Sequence, residues 1–143
     1  MGAEVRLTRA ENGEFIIDLG SAALPQIRFN PLELDEATRA NEHMGARLLM
    51  AAALTCFVNT MANDLKARNV SRVAPIEAHA EITKEKDDHL RTRYTHIELN
   101  VESEVAEVDR AAYEAVRSVL LRGSLLTYSL ENGMELDYNI EAK

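Results

Sequence analysis

Residues 45–66 read GARLLMAAALTCFVNTMANDLK, with no proline, no glycine after Gly45, and alanine, leucine and methionine in the majority. These residue types favour the helix, so the stretch predicts one from Gly45 to about Lys66. Apolar side chains occur on every side of it between Leu48 and Val58, and charge gathers only around Asp64, Lys66 and Arg68. A helix of this composition belongs at the centre of a fold, covered on most sides. It also carries the only cysteine of the chain, Cys56.

Upstream, residues 4–9 and 14–19 are apolar-rich and flank Glu11-Asn12-Gly13. Asn-Gly between two extended runs predicts a β-hairpin, because its central positions accept positive φ. Pro25–Phe29 reads as a third short strand, stopped by Asn30-Pro31. Residues 31–44 are polar and weakly patterned, a loop or a short helical excursion. Downstream, Ile76–Ile82 alternates apolar and polar with period two, and His96–Glu102 does so with Ile97, Leu99 and Val101 inward; both are expected to be half-buried antiparallel strands. The charged segment KEKDDH (84–89) is the expected turn between them. Asp109 is expected to cap a second helix with Ala112, Val116, Val119 and Leu120 on one face and Gly123 at its end. A turn or short helix over Ser124–Leu130 follows. After Gly133, a last strand is expected to place Met134, Leu136, Tyr138 and Ile140 on one face. The order β-β-β-α-β-β-α-(α)-β is an α+β arrangement, and without a linker or repeat it reads as a single domain over residues 1–143.

At 46% hydrophobic and 28% charged the composition is that of a globular domain. A net charge of −8 argues against nucleic-acid binding, which needs a clustered basic surface. One cysteine excludes an internal disulfide and suits a reducing compartment. The opening residues MGAEVRLTRAENG contain no apolar core of signal-peptide length. The uncharged run between Arg47 and Asp64 is sixteen residues, short of the ~18 of a membrane span. A cytoplasmic protein without membrane contact is the expectation.

The chemistry turns on Cys56. A lone cysteine in apolar sequence reads first as a small core residue. To react it must be a thiolate, and burial in an apolar site opposes ionisation. A helix N-terminus acts only within about one turn, and Cys56 lies about three turns past Gly45. A cation must therefore do the work. Arg47 is nine residues away, and at about 100° per residue it points to the opposite face. The candidates in the same subunit are Arg28 and Arg39, and an arginine of a second subunit is equally open. His79 and His96 fall on the polar phase of their strands, and His43 and His89 in loops, without metal-ligand spacing. No glycine-rich phosphate loop, GxSxG or HExxH is present, so neither a cofactor nor a metal is expected.

The segment GARLLMAAALTCFVNTMANDLKARN resembles the central helix of the OsmC/Ohr family, and IRFNPLEL is similar to the strand and loop before it. SLLTYSLENGMELDYNIE resembles that family's closing pattern. The resemblance implies an α+β fold built as an intertwined homodimer with buried central helices and two sites at the subunit interface. It implies reduction of hydroperoxides, with Cys56 as the attacking thiol and Arg28 as the thiolate-stabilising arginine; Arg39, Arg47, Thr60 and Ser124 are site-lining candidates. Ser124 stands where the family's second, resolving cysteine would be, and Ala46 where it carries a carboxylate. These departures leave three readings: a one-cysteine peroxidase resolved by an external small thiol or another protein, which is the expectation, an enzyme of different specificity, or a relative that has kept the fold and lost the chemistry. The alternative is an inactive relative that holds an apolar small molecule in the interface cleft.

Overall fold

The computed structural model describes residues 2–143, which divide into two compact units that meet in sequence between Met44 and Gly45. The first is a three-stranded antiparallel sheet, β1 (Arg6–Arg9), β2 (Phe15–Asp18) and β3 (Ile27–Phe29), in the order β1-β2-β3. The expected hairpin forms, with Leu7 opposite Ile17 and Arg9 opposite Phe15. Its loop, however, runs over five residues, closed by Ala10 N–H donating to Glu14 O and Gly13 N–H to Ala10 O. Only Gly13 takes a positive φ, +94°. The neighbouring asparagine instead uses its side chain, Asn12 Oδ1 accepting from Glu14 N–H at 3.0 Å. Phe15 and Phe29 stack across β2 and β3 with centroids 5.1 Å apart. Asn30 ends β3 as expected, its carboxamide oxygen capping a 3-10 turn at Pro31–Glu33. The helical excursion is α1 (Glu36–Ala40), capped by Asp35. The Thr38 N–H on that carboxyl, helped by the Thr38 hydroxyl, holds it below its ordinary value.

The second unit begins with α2 (Met44–Ala67), within a residue of the expected helix at each end. By length and composition alone α2 could cross a membrane, a test that core helices of soluble proteins also meet. Here one stripe of it is packed: Met61 and Leu65 join Val70, Val116 and Leu120 in the core, with Phe57, Ile76, Val101 and Tyr113 against them. The expectation that α2 is covered on most sides fails within this chain. Leu48, Ala51, Ala52 and Thr55 are exposed, and only Ala46, Ala53, Met61 and Leu65 are buried. One hairpin and one helix can reach only one side of a cylinder this wide.

That hairpin is β4 (Ile76–Lys86) with β5 (Thr92–Ser103). The two predicted strands pair with Ala80 opposite Leu99 and Ile82 opposite Ile97, so their apolar phases meet on one face. Lys84–Lys86, expected in the turn, instead continue β4 past a shift of register between Thr83 and Lys84. The turn is residues 87–91, where Asp87 Oδ1 accepts from the His89 and Arg91 N–H groups. Glu77 faces Glu102 and Glu81 faces Glu98 on the exposed side, two like-charge pairs that oppose the hairpin mildly.

After a 3-10 turn at Glu107–Asp109, α3 (Arg110–Leu120) turns Val116 and Leu120 inward, with Ala112 and Tyr113 partly buried. Two expectations are corrected here. The Asp109 side chain makes no capping hydrogen bond, because the preceding 3-10 turn already winds the backbone in. Val119 is exposed, since it sits about 60° off Val116 on the far side from Tyr113. Gly123, at φ +92°, ends the turn after α3, and α4 (Leu125–Asn132) completes the short helix expected there. The expected last strand is absent: residues 133–143 have no secondary structure. Met134, Leu136, Tyr138 and Ile140 are 59–94% exposed. Alternation supplies a face, but a strand also needs a neighbour for its N–H and C=O groups, and the chain supplies none.

A Cβ at Gly13 would run into the Leu32 side chain on a backbone at φ +94°, whereas one at Gly45, inside α2, would meet nothing within 4 Å. Gly13→Ala is therefore expected to lower unfolding stability by ~1–3 kcal/mol, and Gly45→Ala to leave it unchanged or raise it by up to ~1 kcal/mol. Urea unfolding followed by circular dichroism measures both.

Candidate functional site

Cys56 is the free thiol of the chain and is half-buried. It lies twelve residues past Met44, and at ~1.5 Å per residue this puts it ~18 Å along α2. On the helix surface it stands at a boundary. Buried Ala53 and half-buried Thr60 flank it on one side, exposed Ala52 and Asn59 on the other. Thr60, a sequence candidate, is next to the cysteine but does not address the sulfur: its hydroxyl donates to the Cys56 backbone carbonyl at 2.9 Å. Thr55 bonds back to Ala51 O in the same way at 2.7 Å, so the two hydroxyls on this part of α2 are spent on the helix itself. Among the described residues the thiol has no hydrogen-bond or ionic partner.

The arginines divide between the units. Arg47 is on α2, on the face opposite Cys56 as its spacing requires, and is exposed. Arg28 lies in β3 of the first unit, opposite Ile16 of β2, with its guanidinium 3.7 Å from Glu14 Oε1 and well exposed. An exposed pair at this distance adds little stability, so Arg28 can change partner cheaply. Arg39 is half-buried in the last turn of α1, also in the first unit.

Ser124 is a buried polar residue, 4% exposed, and its surroundings give it a structural role. It is the N-cap of α4. Thr127 Oγ1 accepts from Ser124 N–H at 2.8 Å, and Ser124 Oγ accepts from Thr127 N–H at 3.4 Å, a reciprocal capping box. The sequence signal was a serine three residues before another hydroxyl residue at a helix start, a pattern that the resemblance to a cysteine position obscured. Ala46, which departs from the carboxylate that the resemblance places at this position in the family, is buried.

A cavity of about 520 Å³ opens on the inner side of α2. Its wall includes Ala53 and Phe57, which lie on one side of Cys56 along α2, and Gly123 and Thr127, which flank Ser124 in sequence. Cys56 and Ser124 themselves are not in that wall. Among the described residues no group of three or more His, Cys, Asp and Glu side chains could hold a metal ion. His79, His89 and His96 are exposed on the β4–β5 hairpin, and His43 is exposed before α2.

Compared with known proteins, the chain matches the family model described as OsmC-like protein over residues 45–139. The match spans the second unit almost completely and takes in α2, Cys56, Ser124 and most of the unpaired tail. Arg28 and Arg39 lie outside it. No curated protein and no solved structure matches the chain.

Because Ser124 and Thr127 satisfy each other, Ser124→Ala is expected to cost ~1 kcal/mol of stability, as loss of an N-cap does. Thr127→Val is expected to cost a comparable amount, and the double variant less than the sum, since both remove one box. Thermal unfolding of the three variants measures the coupling.

Proposed function

This chain belongs to the OsmC-like family, and from that premise we propose that it is a thiol-dependent hydroperoxide reductase acting as a homodimer, with Cys56 as the attacking residue. The observation that carries this reading is the position of Cys56 on α2. It sits half-buried where a packed stripe meets an exposed apolar face, so a second subunit laid on that face would close a site around the sulfur.

In the reaction, the Cys56 thiolate attacks one peroxide oxygen and the O–O bond breaks. The departing oxygen takes a proton and leaves as an alcohol, or as water when the substrate is hydrogen peroxide. Cysteine becomes the sulfenic acid, two electrons having passed to the peroxide. Resolution within the chain would need a second thiol, and Cys56 is the only one. An external small thiol therefore condenses with the sulfenic acid, releasing water and leaving a mixed disulfide. A second thiol displaces Cys56 from it as the free thiolate. A reducing cytosol would keep such thiols available. Stabilisation of the thiolate falls to a guanidinium, always charged and able to offer two donors at once. Arg28 is our choice, from its own chain or from the partner, and its loose pairing with Glu14 supports it.

The dimer has independent support in the thinness of the single-chain core. Among the described residues eight apolar ones are buried, while Leu48, Val119, Leu125, Leu136 and Ile140 are among the large ones left in water. The unpaired, alternating segment 134–140 is of the length and pattern to complete a sheet of a second copy.

A second reading is favoured by the lack of any partner for the thiol among the described residues. On that reading the protein is an inactive relative holding an apolar small molecule between its subunits, and Cys56 is packing.

Intact mass after brief exposure to cumene hydroperoxide or hydrogen peroxide separates the two. Rapid gain of one oxygen at Cys56, reversed by added thiol and lost in Cys56→Ser, supports the reductase. A thiol that stays reduced until excess oxidant overoxidises it supports the second reading. Arg28→Ala is expected to slow alkylation of Cys56 at neutral pH by ~10-fold or more, the usual consequence of losing a charge-assisted contact; an unchanged rate removes Arg28 from the site. For the assembly, sedimentation is expected to give a dimer, and truncation after Asn132 to weaken it, with the intact chain a monomer at micromolar concentration as the opposing result.

A further inference from the structure

The chemistry at Cys56 makes no use of the inner side of α2, where the second unit holds two adjoining cavities. The larger, about 520 Å³, runs from Leu49 and Ala53 to Leu130 of α4. The smaller, about 270 Å³, lies over Met61, Val101 and Tyr113. They share Phe57, Leu99, Leu120 and Leu121 as a common wall, so together they form one trough between α2, β5 and the two last helices. Its walls are mostly hydrocarbon, and its size suits a small organic molecule. Cys56 lines neither part.

The charged groups of the trough are unevenly placed. Arg117 is the cation, at the smaller cavity, and Glu131 lies at the larger one with exposed His96. Among the described residues Arg117 has no ion pair and no side-chain hydrogen bond. Glu114, one turn back on α3, is not paired with it, and the side-chain amide at that end, Asn100, donates to Glu98 Oε1 at 3.1 Å. An unpaired guanidinium at one end of an apolar trough, with a carboxylate at the other, selects both a ligand charge and a direction.

We propose that this trough binds an anionic amphiphile, a medium-length hydrocarbon chain ended by a carboxylate. The carboxylate lies against Arg117, and the chain runs over Phe57, Leu99 and Leu120 into the larger cavity. Glu131 repels the acid group from the far end and so fixes the orientation. The site is separate from the thiol and does not depend on peroxide chemistry.

Calorimetric titration of the whole protein with dodecanoate and with dodecyltrimethylammonium, each below its micelle concentration, tests this. Dodecanoate is expected to bind saturably, one per chain, and the cationic probe ~10-fold more weakly or worse. Arg117→Gln is expected to weaken dodecanoate by ~10-fold and to bring the two probes together. Leu121→Glu, an exposed change that places a carboxylate on the shared wall, is expected to abolish dodecanoate binding while the circular dichroism stays that of the parent. Cys56→Ser is expected to bind as the parent does. Equal affinity for the two probes, no effect of Arg117→Gln, loss of binding in Cys56→Ser, or dissociation of the assembly by dodecanoate would each overturn the proposal. The last two would place the chain at the thiol or between subunits.

Discussion

The organising constraint is that α2 is apolar round most of its circumference, while the chain provides cover for one side. The β4–β5 hairpin and α3 bury Met61 and Leu65 and close over Phe57, and their reach ends there. Leu48, Ala51, Ala52 and Thr55 are left in water. Each square ångström of such exposed hydrocarbon forgoes ~25 cal/mol of burial. The proposed homodimer and the proposed chemistry of Cys56 both start from this exposed apolar face.

The same geometry sets the electrostatic problem at the thiol. Backbone polarity fades within a turn of the helix end, and Cys56 is several turns in. The hydroxyls on its part of α2 are committed to backbone carbonyls, and the arginine of α2 points the other way. Ser124 is occupied with capping α4. On the proposed reading the charge that steadies the sulfur is that of Arg28, from its own chain or from another copy. The family match covers the second unit, so it extends to the thiol and stops short of Arg28.

Among the described residues, neither the alternating residues of the tail nor the guanidinium of Arg117 has a local partner. The first lacks backbone partners, the second a counter-charge. Both are exposed, and the proposals give each a partner: a sheet edge for the tail and an acid group for Arg117.

Local rules were enough for much of this protein. Helix-forming composition placed α2 to within a residue at each end, and period-two alternation identified β4 and β5 with their inward phases. Gly13 and Asn30 marked the turns of the first sheet, because glycine tolerates φ +94° and asparagine can cap the turn that follows. The isolation of Cys56 from the helix dipole and from Arg47 was likewise a matter of counting residues along a helix. Tertiary structure decided what counting could not. It extended β4 through a charged segment by way of a register shift, and it turned Tyr113 inward in place of Val119. It made Ser124 a cap, and it left 134–140 without a partner strand. The physical reason is that periodicity specifies which face of an element is apolar, whereas burial, pairing and charge stabilisation require a second surface, and that surface comes from distant chain or from another molecule.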